Sequence, residues 1–259
     1  AFHAVQGNLA ITTDGPGAQL LKTLLQGRSS VVLTVLALIS GGVALGWVRA
    51  ERRQDAVAYL ASAAGLAGAS LGVALWAGFV SGGDRKLTTP VFAFYTAATI
   101  LAAAFLPLPL GRHELVVKQT LAWAGSALLL VTLVHGLCRN TALIEWLAEL
   151  LWLPKRPLLA AVLTHADACA VLALLFAGRR IMAGGDRSWD ARWQTVVNPL
   201  AWSAMAAGTL AVPSSLWVRN QAFGLNAGYL FAAAGAWLAA AVLYRRDEMA
   251  AVCHALATV

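Results

Sequence analysis

Charge is what this 259-residue sequence has least of. Only 12% of its residues are Asp, Glu, Lys or Arg, against about a quarter in soluble globular domains. A soluble chain of this length would need a far more polar coat. Cysteine is scarce as well: Cys138, Cys169 and Cys253 lack the paired CxxC spacing of zinc and dithiol sites. They read as buried apolar thiols, leave the redox compartment open, and give no metal site. Walker, GxGxxG, HExxH and GxSxG patterns are missing, which argues against a nucleotide enzyme, a zinc protease and a serine hydrolase. The last apolar run holds no lysine for a Schiff base. No fixed-period repeat and no low-complexity segment interrupts the chain, so it reads as a single domain.

What the sequence does have is apolar length. Hydrophobic residues make up 59% of it and the mean hydropathy is +0.70. Seven apolar runs, at 30–48, 56–81, 89–110, 116–137, 157–178, 194–218 and 222–244, approach or exceed the roughly 20 residues that cross a bilayer's hydrocarbon core. The fold class expected is all-α, a polytopic transmembrane helix bundle of seven spans. Residues 1–29 form an extracytoplasmic segment, 30–244 the bundle, and 245–259 a cytoplasmic tail.

Two further segments suit short interfacial helices. AQLLKTLLQG carries leucines at helical spacing, and RNTALIEWLAELLWLPKRP mixes Trp146 and Trp152 with charges over a length too short to cross. In the second run Gly65, Gly68 and Gly72 make a small-residue face of the kind that lets another helix approach. SGGDRKLTTP reads as a turn, Pro107 and Pro109 end the third run, and Arg112-His113-Glu114, Asp186-Arg187 and Asp247-Glu248 read as solvated loop charges.

The net charge of +7 does not point to nucleic acid, because the basic residues cluster at the ends of apolar runs. That placement anchors loops against anionic headgroups. With seven spans, the loops on the N-terminal side carry eight Lys and Arg and those on the other side eleven. The positive-inside rule then sets the N-terminus outside and the C-terminus in the cytoplasm of a multi-pass cell-membrane protein. The partners implied are the lipid bilayer and further membrane subunits or a second copy.

Ionisable residues inside a span are costly and mark functional positions. The fifth run holds His165 and Asp167, and the sixth Asn198 beside Pro199. Residues two apart do not share a helix face, so His165 and Asp167 reach different partners. These three make a candidate binding site for a transporter or an accessory subunit of a membrane complex. His135, near the end of the fourth run, and His165 offer a second reading as axial ligands of haem b in an electron carrier.

One stretch carries a family resemblance. LLKTLLQGRSSVVLTVLALISGGVALGWVRAERR resembles the early part of bacterial inner-membrane proteins related to heparan-α-glucosaminide N-acetyltransferase, in which a histidine-bearing extracytoplasmic segment precedes such a span. PVFAFYTAATILAAAFLPLPL and NPLAWSAMAAGTLAVPSSLW are similar to two later spans of that family. The family's opening span is missing, as though the chain began just after it, and its late GRM and His motif reads here as Ser203-Ala204-Met205 and Ser214. The resemblance implies transfer of an acyl group from a cytoplasmic thioester such as acetyl-CoA to a sugar or similar acceptor. His3 would be the general base or acyl carrier, Asp14 its orienting carboxylate, and Arg28 a positioning cation.

Overall fold

The computed structural model describes residues 23–80, 85–106, 108, 110, 113–140, 142, 144–146, 149, 156–182, 187–216, 223–244 and 247–258. Among these, every regular element is helical. In chain order they are α1 (Gly27–Arg49), α2 (Arg53–Leu75, continued by a π-helical turn Trp76–Val80), α3 (Arg85–Phe105), α4 (Glu114–Leu137), α5 (Pro157–Met182), α6 (Arg187–Leu216), α7 (Phe223–Tyr244) and α8 (Asp247–Thr258).

Among the described residues, α1, α2 with its π turn, α3 from Leu87, α4, and α5 through Gly178 are long and apolar enough to cross a membrane. The sixth and seventh expected runs are helical too. However, α6 opens on the charged sequence RSWDAR, and the apolar stretch described in α7 is the shorter Ala233–Leu243. Ala142, Ile144–Trp146 and Glu149 are helical, where an interfacial helix was expected. The expected turn at 81–90 is shorter than its sequence suggests, because α3 begins at Arg85 and takes Pro90 inside. The expected tail contains the regular helix α8, whose alanines favour helix and whose Glu248 stands near the positive N-terminal end.

The chain falls into two compact units, Ala1–Phe94 with Pro107–Gly111, and Tyr95–Leu106 with Arg112–Val259. In the first, α1 and α2 form a hairpin joined by a tight turn. Glu51 adopts φ 61°, the Arg52 N–H donates to the Trp47 carbonyl at 3.0 Å and the Glu51 N–H to the Val48 carbonyl at 3.2 Å. This is a Schellman ending with glutamate where glycine is usual. The Arg52 guanidinium lies 5.3 Å from the Trp47 ring centre and closes the turn from outside.

The α1–α2 seam is built from small residues and hydroxyls. Ser70 Oγ donates to the Ser30 carbonyl at 2.7 Å and shares a 2.9 Å hydrogen bond with Thr34, with Ala37, Ala44, Ala56 and Ala74 buried along the same contact. The glycine face expected to let another helix approach lies on the other side of α2 and meets no helix among the described residues. A side chain at Gly65, Gly68 or Gly72 would meet nothing within 4 Å, because the hydrogen-bonded serine turns α2's other face toward α1. The opposite side of α1 exposes Val35, Leu38 and Ile39. At the end of α2, the π turn brings the Phe79 ring to 6.2 Å from Phe92.

In the second unit, the C-terminal half of α3 crosses α4 at Gly125, where an added Cβ would stand 2.6 Å from Ile100 Cγ1. Only glycine lets the two backbones approach so closely. Thr96 and Thr132 share a 3.1 Å hydrogen bond along the same contact. At the start of α4, Lys118 Nζ lies 2.8 Å from Glu114 Oε1, and the lysine is only 3% exposed. Glu114 was expected as a solvated loop charge; it instead opens α4, one helical turn before a lysine that must be neutralised. Helices α6 and α7 touch at Gly208, whose added Cβ would sit 3.3 Å from the Ala233 Cα. The Trp237 indole N–H donates to Thr209 Oγ1 at 3.1 Å nearby.

Candidate functional site

Helices α4, α5 and α6 pack around two apolar clusters that fix their directions. Ala122 of α4, Cys169–Ala173 of α5 and Val196–Ala204 of α6 meet in one cluster. Leu133–Leu137, Leu159–Leu163 and Ala211 meet in the other. Rising numbers in α5 are therefore matched by falling numbers in α4 and α6, so both run antiparallel to α5. The end of α5 that begins at Pro157 stands level with the C-terminal parts of its two neighbours.

Between these helices lies a cavity of about 860 Å³. On α4 it is lined by Trp123, Ser126, Ala127 and Leu130, on α5 by Leu158, Leu159, Val162 and His165. Ser203, Ala206, Ala207, Leu210 and Trp202 line it on α6, and Arg156 stands at the end where α5 begins. The sequence makes this space directly. Serines and alanines on the facing sides of α4 and α6 are too small to fill the gap, which leaves a groove where close packing would be the norm. Trp123 and Trp202, 44% and 53% exposed, and Leu158 and Leu210, also exposed, form its rim. The groove thus opens sideways, toward the surroundings of the helices.

Ser126, Ser203 and His165 interrupt its apolar wall. Ser126 Oγ lies 3.6 Å from Cys169 Sγ, and that sulfur lies 3.8 and 3.7 Å from Nδ1 and Nε2 of His165. Thiols are weak hydrogen-bonding partners, and neither His165 nor Ser126 has another hydrogen-bond partner among the described residues. His165 is only 4% exposed. Its imidazole therefore reaches the groove with hydrogen-bonding capacity unspent, and a buried polar group in that condition calls for a further partner.

The expected residues are placed as follows. His165 lines the groove. Asp167, rotated about 200° from it around the helix, is half-buried on another side of α5, does not line the groove, and has no ion-pair partner among the described residues. Asn198 is half-buried in α6, itself engaged, and also away from the groove. Arg28 is exposed in the first turn of α1, in the first unit, and is itself engaged. His3 and Asp14 lie outside the described residues.

His135 is 1% exposed within α4 and does not line the groove. The groove therefore carries a single histidine, which does not fit the bis-histidine ligation of a b-type haem. Among the described residues no group of three or more His, Cys, Asp or Glu side chains could hold a metal ion.

Sequence reasoning missed Arg156, which counted only as a loop charge, and Trp123, Ser126 and Trp202. The His165–Cys169 pair was legible in THADAC as helical neighbours. The Ser126 contact, 43 residues away, had no local signal. Comparison with protein-family models, with curated proteins and with solved structures finds no match for this chain.

Proposed function

We propose that this protein is an integral membrane enzyme of the acyl-transfer class, acting on an amphiphile whose apolar part occupies the groove between α4, α5 and α6. The observation that carries the reading is His165, an imidazole buried on the wall of an apolar groove and held only by weak contacts to a thiol. Sites for small amphiphiles have this composition, a mostly apolar lining with a few convergent polar groups. The resemblance of the 20–53 stretch to membrane acetyltransferases supplies the reaction class. The orientation implied is N-terminus outside and C-terminus in the cytoplasm.

The chemistry needs a base beside an acceptor hydroxyl or amine. His165 takes the proton as the acceptor oxygen or nitrogen attacks the carbonyl carbon of a thioester. The carbon–sulfur bond then breaks, and the proton passes to the departing thiolate. Ser126 Oγ, on the same wall, is a hydrogen-bond donor for the carbonyl oxygen as it gains negative charge. His3, Asp14 and Arg28 keep the roles that the resemblance implies, general base, orienting carboxylate and positioning cation. The two histidines make competing assignments for the base.

Vesicles holding the protein and given radiolabelled acetyl-CoA test both. Labelled lipid-phase product that falls at least about 100-fold in His165→Gln, and only slightly in His3→Ala, is the expected result. Transfer unaffected by His165→Gln would remove the groove from the chemistry. No labelled product or acyl-enzyme from the unaltered protein would remove the acyl-transfer reading itself.

A further inference from the structure

The groove has a polarity along its length. At the beginning of α5 stands Arg156, exposed and with no carboxylate in ion-pair distance among the described residues. Beyond it the wall is apolar as far as His165. Arg156 immediately precedes α5 and His165 lies nine positions on, about 14 Å at the helical rise. Half of a bilayer's hydrocarbon thickness is about 15 Å. The stretch of groove between Arg156 and His165 is therefore about as long as one leaflet is deep, open along its side, and cationic at the end where α5 begins.

We propose that the groove is a binding site for a phosphate-bearing anionic lipid of the bilayer, its headgroup on Arg156 and one acyl chain lying along Ala206 and Ala207 toward Trp123 and Trp202. The inference rests on the reading above only in that the groove holds an amphiphile: with its headgroup at Arg156, about 14 Å from His165, this lipid is a resident ligand and not the acyl acceptor. Arg156 brings a planar fork of donors that pairs with two phosphate oxygens at once. Basic pockets between spanning helices take anionic headgroups in this way. The small floor at Ala127, Ser203 and Ala207 admits a chain with no side chain having to move, and the two rim tryptophans flank its far end. A zwitterionic lipid would fill the same floor but place a second positive charge beside Arg156. Selectivity should therefore reside in the arginine and occupancy in the alanines.

Full-length protein in nanodiscs of equal parts phosphatidylglycerol and phosphatidylcholine, released into the mass spectrometer with its retained lipid, separates these two roles. The unaltered protein is expected to retain phosphatidylglycerol over phosphatidylcholine by about tenfold, a difference of about 1.4 kcal/mol. Arg156→Gln should retain lipid with no headgroup preference, and Arg156→Lys should restore part of it. Ala207→Trp, with Ala206→Phe as a second filling variant and an unchanged melting temperature as the check on folding, should lose the retained lipid of both kinds. Loss of lipid on filling, with the preference intact in Arg156→Gln, would overturn the headgroup assignment and leave the amphiphile reading standing. Retention unchanged in both filling variants would overturn both.

Discussion

The α1–α2 seam and the α4–α5–α6 groove use the same kinds of residue to opposite ends. In the seam, Ser30, Thr34 and Ser70 spend their hydroxyls on one another and on backbone carbonyls, all within 3 Å. The helices close over them completely. In the groove, Ser126 and His165 share one thiol at 3.6 to 3.8 Å, and alanines hold the helices apart from a filled core. Satisfied polar groups between apolar helices act as an adhesive. Weakly satisfied ones beside a cavity keep capacity for a further partner. The walls of the groove are held by the two apolar clusters that α4, α5 and α6 share, and α4 itself is fixed outside the groove by the Glu114–Lys118 pair and by its packing on α3 at Gly125.

The comparison can be broken at those outside contacts first. Glu114→Ala leaves Lys118 charged and buried without its partner, and unfolding in detergent should show a loss of about 3 kcal/mol or more. The double replacement Glu114→Gln with Lys118→Met should recover most of it. Gly125→Ala forces a methyl against Ile100 and Thr99, and should cost about 1–3 kcal/mol in the same measurement. A neutral result would mean that α3 and α4 do not cross so closely.

The next effect separates seam from groove. Ser70→Ala removes two hydrogen bonds and should destabilise by about 1 kcal/mol while leaving lipid retention unchanged. Ser126→Ala should do the reverse, with stability held and retention or transfer reduced. Equal destabilisation by the two would erase the distinction. The smallest effect is a gain. Glu51→Gly relieves a left-handed residue in the turn between α1 and α2 and should stabilise by about 0.5–1 kcal/mol, net of glycine's extra chain entropy. A loss instead would show that the Glu51 side chain holds the turn.

These sites also mark what could be read from the sequence. Helical class and the positions of the apolar helices were legible, because membrane-spanning length and composition are local properties. The role of His165 was half legible, since an ionisable residue within an apolar run is conspicuous by itself. The packing face of α2 was not legible because three glycines at regular spacing look like one, whereas Ser70, one residue among many small ones, turns a different side of α2 toward α1. The groove was invisible for a related reason. It depends on Ala127 of α4 and Ala206 and Ala207 of α6, 79 and 80 residues apart, lining one space beside α5, and nothing local distinguishes an alanine that leaves a void from one that fills it. Glu114 was misread because a charge just outside an apolar run looks solvated until its partner, one turn on, is found buried.

The central claim is that bilayer lipid enters the groove, in contrast to merely surrounding the exposed helices. The most direct measurement is photo-crosslinking in bilayers with a phosphatidylglycerol that carries a diazirine in its acyl chain, followed by peptide mapping. The account predicts labelling concentrated on Trp123–Leu130 and Trp202–Leu210 and abolished by Ala207→Trp. Labelling no denser there than on the exposed face of α1 at Val35, Leu38 and Ile39, and indifferent to that substitution, would contradict it.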